Sequence, residues 1–218
     1  MRRFLLASKD RIKREKAQLK QMREREILEA SEALFLKKGF SRTRISDIAH
    51  ACELTNGAIY LYFKNKNELI LIIMTKISNS FADLLLEEDR ENETGIVRIS
   101  RLLNVYNKSF REFPEYHRLD AQFNILFDKK YPGSHHLEKY FAANTRVLDI
   151  FISIFKDGVK DGTIDVNPEK TAHMFLNVMN SYVEKLSLRK HLMEEEQGIS
   201  MENELNELIN YLIDSLKV

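Results

Sequence analysis

The sequence predicts an all-α protein of about nine helices, and three observations carry that prediction. Apolar residues recur at helical spacing almost throughout, with no run alternating like a half-buried strand. Seven Gly and three Pro among 218 residues leave few breaks, so connections are expected to be short. The breaks that exist fall where apolar stripes end. No internal repeat is visible.

The first amphipathic run carries Ile27, Leu28, Leu34 and Phe35 and stops at Lys37-Lys38-Gly39, a basic last turn followed by glycine. A short second helix places Ile45, Ile48, Ala49 and Cys52 on one face. A break near Glu53 follows, with Thr55 as N-cap of a third helix that buries Ile59 and Phe63 and ends near Lys64. Three short helices with a tight turn between the last two describe a helix-turn-helix unit. A fourth helix, about 65–86, carries Leu69, Ile73, Ile77, Phe81 and Leu84 inward and spans roughly 30 Å.

After the polar stretch EEDRENETG, a stripe from Ile96 through Ile99, Leu103, Tyr106 and Phe110 to Phe113 is stopped by Pro114. Leu119, Phe123 and Phe127 continue in a short helix before KKYPGS. A long helix is expected from Ser134 to about Lys160. Asn167 as N-cap and Pro168 at the first position start the next, 168–192, and a last one covers 201–217. The expected organisation is a basic arm (1–23), a helix-turn-helix domain (24–66) and a larger domain (67–218) whose first helix, 67–86, is the connector.

Net charge is only +1, but it is segregated: residues 1–66 hold 16 Lys/Arg against 8 Asp/Glu, and the remainder 18 against 25. That asymmetry suits a polyanion partner for the first part, or simply two solvated faces of opposite sign. The single Cys52 excludes an intramolecular disulfide. The longest strongly apolar run, Leu69 to Met74, is six residues, and the basic start MRRFLLASKD has too short an apolar core for a signal peptide. The expected location is the cytoplasm.

Ile48, Ala49, Leu54, Thr55, Gly57, Ile59, Tyr60, Tyr62, Phe63, Lys66 and Leu69 match, in identity and spacing, the IA…aGvs.gtlYryF.sKeeL pattern. On these residues the segment 27–69 resembles the N-terminal domain of tetracycline-repressor-like (TetR) regulators, and ALFLKKGFSRTRISDIA before it is similar to the family's preceding pattern. The resemblance implies a ligand-responsive, sequence-specific DNA-binding transcriptional regulator. A repressor released by a small hydrophobic effector is expected, with a palindromic operator in duplex DNA and a homodimer. The alternative is a dimeric DNA-binding protein without a small-molecule sensor, its larger domain serving dimerisation or protein partners.

The resemblance also assigns roles. Small residues at Thr55, Gly57 and Ala58 would let the third helix approach the major groove, with Thr55 on phosphate and Asn56 on an adenine edge or a phosphate. Tyr60 and Tyr62 would donate hydroxyls to the two backbone strands, Leu61 would meet a thymine methyl, and Lys66 would contact a phosphate. Arg42 and Arg44 are further phosphate candidates, and Thr43 is expected to cap the second helix. Glu53 departs from the family, which usually has Gly in this turn; a positive φ there costs about 1 kcal/mol or more. The arm, with Arg2, Arg3, Lys9, Arg11, Lys13, Arg14, Lys16, Lys20 and Arg23, is either a minor-groove arm, a solvated tail or an interfacial membrane helix. Ile12, Leu19 and Met22 hint that part of it extends the first helix backward.

Candidate effector-lining residues are Tyr106, Phe110, Phe113, His117, Phe123, Phe127, Phe151, Phe155 and Met174, although aromatic stripes at this spacing also build cores. The excess of Phe favours an acyl chain or a flat hydrophobic drug. The expected dimer interface uses Phe175, Met179, Tyr182, Val183 and Leu186 on one helix and Leu205, Leu208 and Leu212 on the next, unless both faces pack within one subunit.

No enzyme is expected: HExxH, GxxxxGK, GxSxG and paired Glu-x-x-His motifs are all missing from the sequence. Neither a cofactor nor a metal is expected. His135 and His136 diverge by about 100° on a helix and make poor joint ligands; His117 with His173 is the one distant pair considered.

Overall fold

The computed structural model describes residues 2–126, 135–191, 198 and 200–216, with side chains at 11–126, 135–189, 198 and 200–216. Over these residues the chain forms nine helices and no strand: α1 (Arg2–Lys38), α2 (Ile45–Ala51), α3 (Asn56–Tyr60), α4 (Lys66–Glu88), α5 (Gly95–Glu112), α6 (Pro114–Leu126), α7 (His135–Asp161), α8 (Pro168–His191) and α9 (Met201–Asp214). Two compact units form, Met1–Ile73 and Met74–Val218, and α4 continues from one into the other.

In the first unit Ile27, Phe35, Phe40, Ile48, Ile59, Phe63, Leu69 and Ile73 are buried together with Ala49. Each large side chain of this kind contributes about 1.5–3 kcal/mol by leaving water. α1 stops as expected: Gly39 has φ 79°, and its N–H donates to Phe35 O at 2.7 Å. Upstream, α1 is one unbroken helix back to Arg2, so the arm is helical and not a separate segment.

The α2–α3 turn has a definite cause. Leu54 N donates to Ala49 O (2.8 Å) and Glu53 N to His50 O (3.2 Å), the paired bonds of a Schellman ending. That ending needs a left-handed residue, and Glu53 supplies it with φ 55°. Glu53→Gly is therefore expected to raise stability by about 1 kcal/mol, measured by urea unfolding, with no lost contact to offset it.

α4 corrects one expectation. By length and average composition it is a helix able to cross a membrane, although no single apolar run in it is long. Here its apolar side chains Leu69, Ile70, Leu71, Ile73, Met74, Ala82 and Leu85 are buried, while Lys76 and Asp83 are exposed.

In the second unit α5 packs against α6, α7 and α9, and α8 against α6, α7 and α9. α5 meets α7 at two glycines: a Cβ on Gly95 would lie 2.1 Å from Gly158 Cα, so neither position has room for a side chain. Asp161 of α7 reinforces the contact by accepting from Gly95 N at 2.7 Å, capping α5 in place of Thr94, which makes no side-chain cap.

The expected dimer faces are corrected. Phe175, Met179, Val183 and Leu186 of α8, and Leu205 and Leu212 of α9, are buried within the subunit, and Leu208 packs against the same core. Tyr182 is half-buried, its hydroxyl donating to Glu204 Oε2 at 2.6 Å between α8 and α9. Periodicity identifies the apolar faces; it does not say which neighbour covers them.

Candidate nucleic-acid interface

α3 begins at Thr55, whose Oγ1 accepts from Ala58 N at 3.2 Å, the expected N-cap. The helix is only five residues long and ends at Tyr60, with Leu61 as its C-cap, rather than near Lys64, so its dipole is small. Thr55, Asn56 and Gly57 are exposed, Ala58 half-buried, and Ile59 fully buried as the anchor. A Cβ on Gly57 would meet nothing closer than Thr55 Oγ1 at 3.9 Å. This surface is therefore small in side chains and open. Tyr60 and Leu61 stand out of it, 53% and 80% exposed, whereas Tyr62 is half-buried.

Two of the expected contacts are not available in this form. Thr43 is buried; its hydroxyl donates to Gly39 O at 2.9 Å, tying the α1–α2 turn, and the residue before α2 is Arg44. Asp47, at the third position of α2, accepts from Arg44 N at 3.0 Å. Thr43 is neither the cap nor an exposed donor. Lys66 is likewise half-buried, its ammonium donating to Phe40 O (2.8 Å) and Thr43 O (3.1 Å). Burial holds its pKa below the ordinary lysine value. It closes the α1–α2 turn against the start of α4 in place of reaching a phosphate. Lys66→Met is expected to cost about 1.5–3 kcal/mol, because two inward carbonyls lose a charged donor; urea unfolding measures it. Arg42 and Arg44 are both exposed, with Arg42 Nε on Lys38 O at 2.9 Å.

In the second unit the expected effector residues divide. Tyr106, Phe110, Phe123, Phe151 and Phe155 are buried in α5, α6 and α7; Phe155 stacks edge-on against Phe175, with ring centroids 5.4 Å apart. Phe113 and Met174 are about half exposed on the surface: Phe113 lies past the end of α5, where φ −134° has left the helix, and Met174 falls off the buried face of α8. Phe127 lies outside the described residues. An open groove of about 730 Å³ along α7, lined by Leu86, Asp89, Arg98, Arg146, Asp149 and Ile150 among others, contains none of them.

The apolar reading missed a set of polar groups among these helices. Tyr106 Oη donates to Asn180 Oδ1 at 3.2 Å, His117 Nε2 lies 2.9 Å from Ser109 Oγ, and Asn124 donates to Glu184 at 3.3 Å. Burial, with Glu184 nearby, pushes the Asp120 carboxyl up to about 6, and burial pushes the His117 imidazole down to about 4. The same Asp120 charge, after burial, helps push Tyr140 up to about 12. Asp120 and His117 oppose one another in pH dependence. Asp120 binds its proton more tightly when folded, so its contribution falls as pH rises from about 4 to 6. His117 binds its proton less tightly when folded, so its contribution rises with pH from about 4 to 6.5. Asp120→Asn is expected to stabilise the protein near neutral pH by on the order of 1–3 kcal/mol and to leave stability rising across that acid range, measured by urea unfolding at several pH values.

A sequence profile described as bacterial regulatory proteins, tetR family, matches residues 27–73, the segment that builds α2, α3 and their supports. Residues 27–73 thus match the TetR-family N-terminal domain. The HTH-type transcriptional regulator TtgR of Pseudomonas putida is 35% identical over 85 residues, covering 38% of this chain and 40% of TtgR. The chain thus aligns with less than half the length of that curated relative. Among solved structures, the transcriptional regulator FadR of Bacillus subtilis in complex with stearoyl-CoA superposes with a TM-score of 0.66 at 16% identity, over 86% of this chain and 96% of FadR. AibR, in complex with isovaleryl coenzyme A and operator DNA, does so with a TM-score of 0.60 at 19% identity, over 89% and 98%. At those identities the likeness is one of fold. It extends the TetR-like helical architecture to the part of the chain that the profile does not reach.

Proposed function

We propose that this chain is a homodimeric, sequence-specific DNA-binding transcriptional repressor, acting in the cytoplasm and released from its operator by a small hydrophobic effector. The observation that carries the reading is the exposed start of α3. Thr55, Asn56, Gly57 and Ala58 form a flat surface in the TetR-family register, flanked by Tyr60 and Leu61. On such a surface the backbone approaches base edges and phosphates closely, Asn56 suits an adenine edge, and Tyr60, Arg42 and Arg44 suit phosphates. The domain division that goes with it is a reading head (24–66), a basic arm before it and an effector domain entered through α4.

Dimerisation follows from the geometry of DNA, because a two-fold pair presents two reading heads to half-sites about 34–36 Å apart or a multiple of it. With the apolar faces of α8 and α9 turned inward, the face left for a partner is Met174, Asn177, Ser181, Lys185 and Leu188. These residues lie along one stripe of α8 turned away from its buried face.

The effector reading rests on aromatic residues gathered in α5–α7 and on the acyl-CoA thioesters bound by FadR and AibR. A coupling of about 1–3 kcal/mol through α4 suffices for 5–150-fold changes in operator affinity. The test is selection of bound sequences from a random duplex library at two salt concentrations. The selected repeat is then titrated in the presence of acyl-CoA thioesters and flat hydrophobic drugs. An inverted repeat whose affinity falls steeply with salt supports the regulator, and release by one compound class supports the sensor. Recovery of no motif overturns the first, and no release and no thermal shift with any compound overturns the second.

A further inference from the structure

The helix that supports the reading head extends well beyond what that head needs. From residue 11 to 22 every side chain of α1 is exposed, and the first fully buried one among the described residues is Ile27. This protruding part is one-sided in charge, with six Lys or Arg against one acidic residue, Glu15, over residues 11–23. It is also one-sided in space. Lys13, Lys16, Lys20 and Arg23 follow the i, i+3, i+7, i+10 spacing and share an arc of about 80° at roughly 100° per residue, over about 15 Å of helix.

Intrahelical pairing absorbs these charges only in part. Arg11–Glu15 at 3.5 Å and Lys20–Glu24 at 3.6 Å are exposed and weak, Arg23 donates to Glu26 at 2.6 Å, and Lys13, Arg14 and Lys16 have no carboxylate partner among the described residues. An isolated helix carrying unneutralised like charges at i, i+3 and i+4 is disfavoured by self-repulsion, which a polyanion removes.

We propose that this helical arm is a second duplex-DNA contact. It lays the Lys13–Lys16–Lys20–Arg23 stripe on phosphates flanking the operator and adds affinity without sequence preference. This rests on the DNA-binding reading above. DNA is favoured over a lipid surface because over residues 11–23 the exposed large apolar side chains are only Ile12, Leu19 and Met22, an arc of about 80° against six basic residues. The arm is also the same continuous helix whose C-terminal half packs against α2 in the reading unit. A duplex offers one phosphate per roughly 1.7 Å of axis, so each basic side chain of the stripe has a counter-charge within reach.

The test compares the full-length chain with the K13Q/K16Q/K20Q variant by fluorescence anisotropy. Two probes are used: the selected inverted repeat alone, and the repeat with about 15 added base pairs on each side. Glutamine has nearly the helix propensity of lysine, and circular dichroism verifies that the arm stays helical. The wild type is expected to bind the long probe at least tenfold more tightly than the short one. The variant is expected to bind both alike, with a salt slope on the long probe reduced by about 2.7 per chain.

A variant that keeps the wild-type preference and slope overturns the arm while leaving the operator reading intact. A wild type that binds neither probe overturns the operator reading and the arm with it. Lysine-dependent sedimentation with phosphatidylserine vesicles, with both DNA probes bound unchanged, also overturns the arm as a DNA contact.

Discussion

Gly57→Leu is expected to leave the fold intact and to reduce operator affinity at least 100-fold. Gly57 is exposed and has open space where a side chain would grow, with Thr55 Oγ1 the nearest atom at 3.9 Å. A glycine inside a helix also costs about 0.8–1 kcal/mol relative to alanine, so filling the position is neutral or stabilising for the isolated protein. If the start of α3 lies against DNA, leucine holds the backbone away from the groove by the thickness of its side chain. Several base and phosphate contacts are then lost together. The expected loss, about 2.7 kcal/mol or more, is read by anisotropy titration beside an unchanged or higher melting temperature. Stability and binding move in opposite directions, which a merely structural role for Gly57 does not produce.

Arg98→Met is expected to be the most destabilising change in the larger unit, by about 3–5 kcal/mol in urea unfolding. The Arg98 side chain is 8% exposed and holds two carboxylates: Nε and Nη2 donate to Asp89 at 2.8 Å each, and Nη1 donates to Asp157 at 2.7 Å. The bridge joins the end of α4, the first turn of α5 and the last third of α7, next to the Gly95–Gly158 contact. Methionine leaves Asp89, itself only 12% exposed, without its counter-ion. The hydrogen bonds from Arg98 hold the Asp89 carboxyl below the usual carboxylate range. That contribution is thus present above the ordinary Asp value and lost as the pH falls below it. The double variant R98M/D89N is expected to recover much of the loss, since removing both charges costs far less than orphaning one.

Much of this is legible from residue spacing, and the rest is hidden for identifiable reasons. The helix starts at Thr55 and Pro168 and the stop at Gly39 depend on single residues with strong local preferences, and the helices begin and end there. Glu53 is readable as an oddity, and its left-handed φ follows from the Schellman bonds that surround it. Lys66 misleads because a lysine in a basic region looks like a phosphate ligand. Its inward carbonyl partners, Phe40 and Thr43, are 26 and 23 residues away.

Thr43 and Arg44 are easily exchanged as cap because both precede α2 and only the fold turns one hydroxyl inward. The α8 and α9 stripes are apolar as read, but periodicity shows that a face is buried and not what buries it. The polar set around Asp120 escapes for the opposite reason. Asp120, Asn180 and Glu184 are ordinary surface types in sequence, and their burial or partnership arises only when α5, α6, α7 and α8 pack.

The most direct measurement of whether this is a sequence-specific regulator is a specificity ratio. The selected repeat and a scrambled duplex of equal length and composition are titrated side by side at physiological salt. A repeat bound at least 1,000-fold more tightly, with two chains per duplex, is the predicted result. Equal affinity for both duplexes would contradict it, leaving the basic unit as a nonspecific DNA-binding surface.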